Sequence, residues 1–237
     1  MRTSKGTLYL IPCTLGSEQA IPFLAPSVIE ATLQLDHFIV ENARSARRFL
    51  KKIGYEKNFD DVVFYELNQR TKNSEHSMMI TPLKKGTDMG LISEAGVPAV
   101  ADPGSEIVAL AHLNQITVRP LIGPSSILLA LMASGLNGQG FTFNGYLPRK
   151  ENERIRELKR LEVISKKTGY TQIFMDTPYR NIPLLEDIVE HLSPYSRLCI
   201  AVNLTMEDEK IMTQEIAEWR KSNISLHKKP AMFLLLA

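Results

Sequence analysis

Cysteine is scarce in this chain: Cys13 and Cys199 are the two present in 237 residues, which offers no disulfide framework and no metal-ligand spacing. Long apolar runs are missing too. No stretch approaches the roughly 18 residues that a membrane-spanning helix needs. The apolar run after Met1-Arg2-Thr3-Ser4-Lys5 stops at Pro12 with no small-residue cleavage pattern. No signal peptide is expected, and the chain reads as cytoplasmic with no membrane partner. Charge of one sign is nearly absent as an excess, because the formal net charge is only +2 and does not by itself mark a nucleic-acid binder. There is no Walker A loop, no G-x-S-x-G elbow, no H-E-x-x-H pair and no C-x-x-C pair, which removes the commonest nucleotide-hydrolysing, serine-hydrolase, zinc and redox readings. The G-x-G at Gly138-Gln139-Gly140 does not join a strand to a helix start, so it is no dinucleotide fingerprint. Five histidines stand scattered at 37, 76, 112, 191 and 227 and read as surface or packing residues.

What is present is a globular composition, with 44% hydrophobic and 23% charged residues, arranged as an alternation of short apolar runs and helix-length amphipathic stretches. That alternation predicts an α/β protein. Strands are expected near Thr7–Ile11, His37–Val40, Val62–Glu66, Met89–Ser93 and Ile116–Leu121. Helices fit at Arg44–Ile53, where Ala46, Phe49, Leu50 and Ile53 share a face, and at Glu106–Leu113 after an Asp102-Pro103-Gly104-Ser105 cap signal. The pattern then resumes. Helix Ser126–Ser134 is followed by strand Phe141–Tyr146, a charged helix from about Glu151 to Lys167, strand Thr171–Met175, helix Pro178–Leu192, strand Leu198–Val202, helix Thr213–Lys221 and strand Ala231–Leu236. Two α/β domains are expected, residues 1–121 with a largely parallel sheet and 122–237 with a mixed one. No repeat or low-complexity segment interrupts them.

Three loops built of small residues follow strands: Pro12-Cys13-Thr14-Leu15-Gly16, Ser93-Glu94-Ala95-Gly96-Val97-Pro98, and Ile122-Gly123-Pro124-Ser125-Ser126. Taken singly each could be an ordinary turn. Ligands in open α/β sheets bind at the carboxyl ends of strands, however, and small residues let backbone approach a ligand closely. All three loops could therefore face one ligand. A local excess of eight basic over four acidic residues at positions 149–167 reads either as a solvated helix face or as a surface for RNA phosphates, since Arg156, Arg160 and Lys167 fall on the side opposite Ile155, Leu158 and Leu161.

The loops belong to a longer series in a fixed order: Thr7-Leu8-Tyr9-Leu10-Ile11-Pro12 with Gly16, Glu41-Asn42-Ala43-Arg44, Leu91 to Gly104, Ile122 to Ser126, Asn144-Gly145-Tyr146-Leu147-Pro148-Arg149-Lys150, and Thr177-Pro178-Tyr179-Arg180. Over nearly the whole chain this series resembles the tetrapyrrole-methylase superfamily, and within it the branch of ribosomal small-subunit RNA 2′-O-methyltransferases. The resemblance implies two α/β domains of the tetrapyrrole-methylase type with S-adenosylmethionine in the cleft between them, in a homodimer. It implies donor contacts at Thr14, Ser93, Glu94, Ala95, Gly96, Val97, Pro98, Ser125 and Ser126, with Met175 and the backbone near Ala231 and Met232 added. Asp102-Pro103-Gly104 is expected to cap the next helix and brace the loop.

A ribose hydroxyl is a weak nucleophile at neutral pH, so a base or a cation that stabilises the developing alkoxide is expected beside it. Glu41 and Arg44, leaving the second strand at its carboxyl end, are the candidates; the alternative is a structural Glu–Arg pair at a helix start. Several positions depart from the RNA-methylating pattern. Asn42 stands where a second acid is expected, Tyr179 where a His precedes Arg180, Leu67-Asn68-Gln69 for His-Asn-Glu, Val202 to Met206 for Arg-Glu-Leu-Thr-Lys, and Lys229-Pro230-Ala231 for Lys-Gly-Glu. Three functions follow: methylation of small-subunit ribosomal RNA, C-methylation of a corrin or porphyrin precursor, or non-catalytic binding of the cofactor or RNA.

Overall fold

The computed structural model describes residues 4–16, 21–68 and 71–237; Met1 to Thr3 of the N-terminal reading and Gln69 of the 67–69 departure lie outside the described residues. By internal contacts the chain forms two compact units, Met1–Ser125 and Ser126–Ala237. Among the described residues no helix is long and apolar enough to cross a membrane.

The first unit runs β1 (Thr7–Ile11), α1 (Pro26–Gln34), β2 (His37–Val40), α2 (Ala43–Lys52), β3 (Val63–Glu66), α3 (Asn73–Met79), α4 (Thr81–Lys84), β4 (Met89–Ile92), α5 (Ser105–Leu113) and β5 (Thr117–Pro120). Its five strands pair in parallel in the order β3-β2-β4-β1-β5. Parallel neighbours need crossover connections, and helices on both faces supply them. The period-2 alternation of each strand sorts its side chains accordingly. Ile11, Phe38, Val40 and Ile92 pack with Ala46, Leu50 and Ile53 of α2 on one face. Leu8, Ile39, Met89 and Leu91 pack with Ile80, Leu83, Ile107 and Ala111 on the other. Register then places the site. Ile11 pairs with Ile92, and Ile92 with Val40, so the residues that follow, Pro12, Ser93 and Glu41, emerge side by side at the carboxyl edge. The strand order reverses at β4 and β1, which is where an open parallel sheet leaves a crevice.

The second unit contains α6 (Ser126–Ser134), β6 (Phe141–Tyr146), α7 (Glu151–Thr168), β7 (Thr171–Met175), α8 (Asn181–His191), β8 (Arg197–Val202), β9 (Lys210–Glu215), α9 (Ile216–Trp219) and β10 (Ala231–Leu236). Its sheet is mixed, in the order β6-β7-β10-β8-β9, with only β6 and β7 parallel. Leu158, Leu161, Leu184 and Ile188 cover the face that carries Phe174, Phe233 and Ile200; α6 lies against β10, β8 and β9. The expected helix Thr213–Lys221 is a strand for its first three residues. Lys210–Glu215 pairs antiparallel with β8, Thr213 opposite Cys199, and only Ile216–Trp219 is helical. Backbone pairing along the β8 edge outweighs local helix preference there. Helices α1, α3 and α4 have no counterpart among the expected elements.

The charged helix α7 also differs from its simple reading. Leu158 and Leu161 are buried as expected, but so is Arg154, whose Nε donates to Asp187 Oδ2 at 2.5 Å. On the exposed face Arg160 makes two bonds, at 2.8 and 2.5 Å, with Glu157, and Lys150 reaches Glu153 at 3.3 Å. Much of the local basic excess is thus neutralised within the helix or against α8. Because the Arg154–Asp187 pair is only 6% and 11% exposed, Asp187→Ala leaves a charge buried without its partner. A loss of about 3–5 kcal/mol in unfolding free energy is expected by denaturant titration, against about 0–1 kcal/mol for Glu157→Ala on the surface of α7.

Candidate active site

Three loops meet at the carboxyl edge of the first sheet, and backbone contacts join them. The Cys13 N–H donates to the Gly96 carbonyl at 2.7 Å, and the Gly96 N–H donates back to the Cys13 carbonyl at 3.2 Å, a small antiparallel bridge between the loop after β1 and the loop after β4. Gly96 sits at φ +70°, where a β-carbon would meet Leu15 at 3.2 Å and the Pro124 carbonyl oxygen at 3.5 Å. Gly123 lies still closer: a β-carbon there would stand 2.2 Å from Pro12. At Gly123 only glycine permits the approach. Ala99 and Ala101 adopt φ of +64° and +63°, a costly conformation for residues with a β-carbon, so the segment from Ser93 to Gly104 is held in shape by its packing. Ser93 is buried, with its hydroxyl turned to the Ala95 carbonyl at 3.4 Å.

A cavity of about 320 Å³ opens beside this bridge, lined by Cys13, Thr14, Glu41, Ser45, Arg48, Phe49, Lys52, Ser93 and Glu94 among others, within the range of small-molecule sites. Of the expected site residues, Thr14, Glu41, Ser93 and Glu94 line it. Ala95, Gly96, Val97 and Pro98 continue the same loop, and Gly96 is tied to it by the bridge. Ser125 is half-buried next to Pro124. Met175 and Met232 face each other as a pair across β7 and β10, and Ala231 pairs with Val202. Arg44 is exposed and is not among the cavity-lining residues, and it forms no ion pair with Glu41. The cations that line the cavity are Arg48, one helical turn further along α2, and Lys52, one turn beyond it. Sequence pattern could have found them: Glu41, Ser45, Arg48, Phe49 and Lys52 follow helical spacing from the end of β2.

Electrostatics at this edge are acidic. Burial raises the Glu41 carboxyl above its ordinary range, and the Asp102 carboxylate adds to the shift. Burial likewise raises Asp102, with Glu94 contributing. The Cys13 thiol is pushed up strongly by burial and by the same three carboxylates, so it is an inert packing residue. Asp102 does not cap α5. The cap position is Gly104, at φ +131° and with no side-chain bond, and Asp102 belongs to the acidic group instead. A field of this sign suits a ligand carrying a sulfonium and an ammonium group.

Three of the five departures have local explanations. Asn42 is the N-cap of α2, accepting from the Arg44 and Ser45 N–H groups at 2.9 and 3.1 Å, a task that Asn and Asp perform equally. Asn203 Nδ2 donates to both Asp208 oxygens at 2.8 Å, and Lys229 Nζ donates to the same carboxylate at 2.8 Å. The Asn203 N–H meets the Pro230 carbonyl at 3.0 Å. Two substituted stretches are therefore bonded to each other.

The residues 7–219 match the model of the tetrapyrrole (corrin/porphyrin) methylases. The chain belongs to this family. Among curated proteins it is similar to "Ribosomal RNA small subunit methyltransferase I" of Micromonospora olivasterospora, 32% identical over 90% of this chain and 64% of that one. It is also similar to the protein of that name from Halalkalibacterium halodurans, at 31% over 87% of this chain and 68% of that one. The chain thus spans about two-thirds of the length of these relatives. Among solved structures the methyltransferase CobJ shares the fold, with a TM-score of 0.64 at 17% identity over 98% of this chain and 94% of that one.

The raised carboxyls carry a stability consequence. Between its ordinary pKa near 4.5 and the raised value, Glu41 holds a proton in the folded chain that the unfolded chain has released, so this part of stability is lost as pH rises. Glu41→Gln is expected to melt higher than the parent at pH 7, and the gap is expected to close as pH falls towards about 4, read by calorimetry across pH.

Proposed function

We propose that this protein is an S-adenosylmethionine-dependent methyltransferase acting on a ribose 2′-hydroxyl of small-subunit ribosomal RNA. The observation that carries the reading is the joined set of small-residue loops beside a cavity lined by Glu41 and Glu94 on one hand and Arg48 and Lys52 on the other, at the strand-order reversal. The names of the curated relatives support the RNA acceptor. Bound there, S-adenosylmethionine would supply an electrophilic methyl group on a cationic sulfur whose leaving form is a neutral thioether.

Thr14 and the segment Ser93 to Pro98 are the proposed donor contacts. The cradle suits such a ligand because Gly96 and Gly123 let the loops after β1, β4 and β5 close on one another beside the cavity, and because Glu41, Glu94 and Asp102 favour cationic groups. The family resemblance adds Ser125, Ser126, Met175, Ala231 and Met232. Glu41 is the proposed base. Its raised pKa brings it nearer the operating pH, where a carboxylate removes a hydroxyl proton more effectively. Arg48 takes the role first expected of Arg44: its guanidinium lines the cavity and can stabilise the oxygen as negative charge develops. The remaining demand is alignment of the acceptor oxygen, which binding supplies. A cytoplasmic homodimer is part of the same proposal and rests on the resemblance.

The test incubates the protein with radiolabelled S-adenosylmethionine and, in separate tubes, undermodified small ribosomal subunits or a tetrapyrrole precursor. Label is expected in RNA and not in RNA already methylated at the ribose. Label confined to the tetrapyrrole would overturn the reading. Glu41→Gln is expected to lower kcat by roughly 10²–10⁴ with donor affinity unchanged, and Gly96→Trp to abolish donor binding while circular dichroism stays native.

A further inference from the structure

Helix α2, Ala43-Arg44-Ser45-Ala46-Arg47-Arg48-Phe49-Leu50-Lys51-Lys52, holds five basic residues and no acidic one in ten positions. At 100° per residue Arg44, Arg47, Arg48, Lys51 and Lys52 fall within a single arc, while Ala46 and Leu50 point into the core. All five cations are exposed. Like charges at i,i+3 and i,i+4 spacing repel, so the strip disfavours its own helix. No carboxylate of the described residues lies within ion-pair distance of Arg44, Arg47, Arg48 or Lys51, in contrast to α7, where Glu157 and Asp187 occupy Arg160 and Arg154.

Aromatic rings hold part of the strip instead. The Arg47 guanidinium sits 5.1 Å from the centre of the Phe64 ring and 6.0 Å from that of Phe59, and Lys51 Nζ lies 5.9 Å from Phe59. Such a platform orders a cation without neutralising it. At its inner edge the strip merges with the cavity, since Arg48 and Lys52 line it together with Glu41.

We infer that α2 is the track for the phosphate backbone of the RNA acceptor: Arg44, Arg47 and Lys51 bind phosphates outside the cavity and so deliver a ribose to Glu41. The inference rests on the RNA methyltransferase reading and adds the surface that holds the substrate. Regular basic side chains on a solvent-facing helix, beside a site that must receive one sugar of a polyanion, match a phosphate chain in charge and in extent.

The experiment measures binding of a fluorescent 16-nucleotide single-stranded RNA, and of undermodified small ribosomal subunits, to the full chain as a function of salt. The triple variant Arg44→Gln/Arg47→Gln/Lys51→Gln keeps helix-forming residues and is expected to bind both at least about tenfold more weakly, with the log–log salt slope for the 16-mer reduced by about 2, as loss of three single-strand phosphate contacts requires. Arg44→Lys/Arg47→Lys is expected to retain affinity. Affinity for S-adenosylhomocysteine, measured on the same samples, is expected to be unchanged and verifies the fold. Neutralising Arg156, Lys159 and Lys166 on α7 is expected to have little effect. Unchanged RNA affinity and slope in the α2 variant would overturn the inference while leaving the methyltransferase reading intact. An equal loss from the α7 variant, or α2-dependent binding of phosphatidylserine vesicles without RNA binding, would also overturn it. Should the parent bind RNA through α2 yet transfer no methyl group, the functional reading fails and the surface stands.

Discussion

Two backbone hydrogen bonds between Cys13 and Gly96 are the constraint on which the site depends. They tie the loop after β1 to the loop after β4, and Gly123 against Pro12 brings in the loop after β5. None of these contacts involves a side-chain functional group. They fix where the backbone is, and backbone placement decides how close a ligand can come. Strand register has already set the three loops at one height, Ile11 beside Ile92 and Leu10 beside Pro120. The grouping of carboxylates follows from this closeness, because Glu41 from the loop after β2 meets Glu94 and Asp102 from the loop after β4.

The same geometry separates two kinds of residue at the mouth. Glycines on the β1, β4 and β5 side let the loops pack tightly against one another. Basic residues on α2 supply charge, and Asn42 fixes the start of that helix by capping it. In the proposal the cofactor and the acceptor take different sides of one edge. This division also accounts for the balance of charge: carboxylates face the cationic ligand of the proposal, and the arginine and lysine strip faces the anionic one.

Much of this was legible in the sequence. The strands of the first sheet, the loops Pro12–Gly16, Ser93–Pro98 and Gly123–Ser126, and the family resemblance all rest on local signals, because Gly, Pro and short apolar runs act within a few residues. What escaped depended on distant partners. Thr213 to Glu215 reads as helix until β8 offers an edge to pair with. Arg154 counts as a surface charge until Asp187, far along the chain, is found to bury it. Asp102 has the composition of a cap, yet Gly104 takes that position. Arg48 in place of Arg44 turns on which face of α2 meets the carboxyl edge, a face that the helical spacing of Ser45, Arg48 and Lys52 carried in the sequence and the packed sheet picks out.

In the proposal the joined loops form the methyl-donor site. Amide hydrogen exchange, followed by mass spectrometry with and without saturating S-adenosylhomocysteine, tests it most directly. Slowed exchange in peptides covering Cys13–Gly16, Ser93–Pro98 and Gly123–Ser126 is the predicted result. Saturable binding with exchange unchanged in all three segments would contradict it.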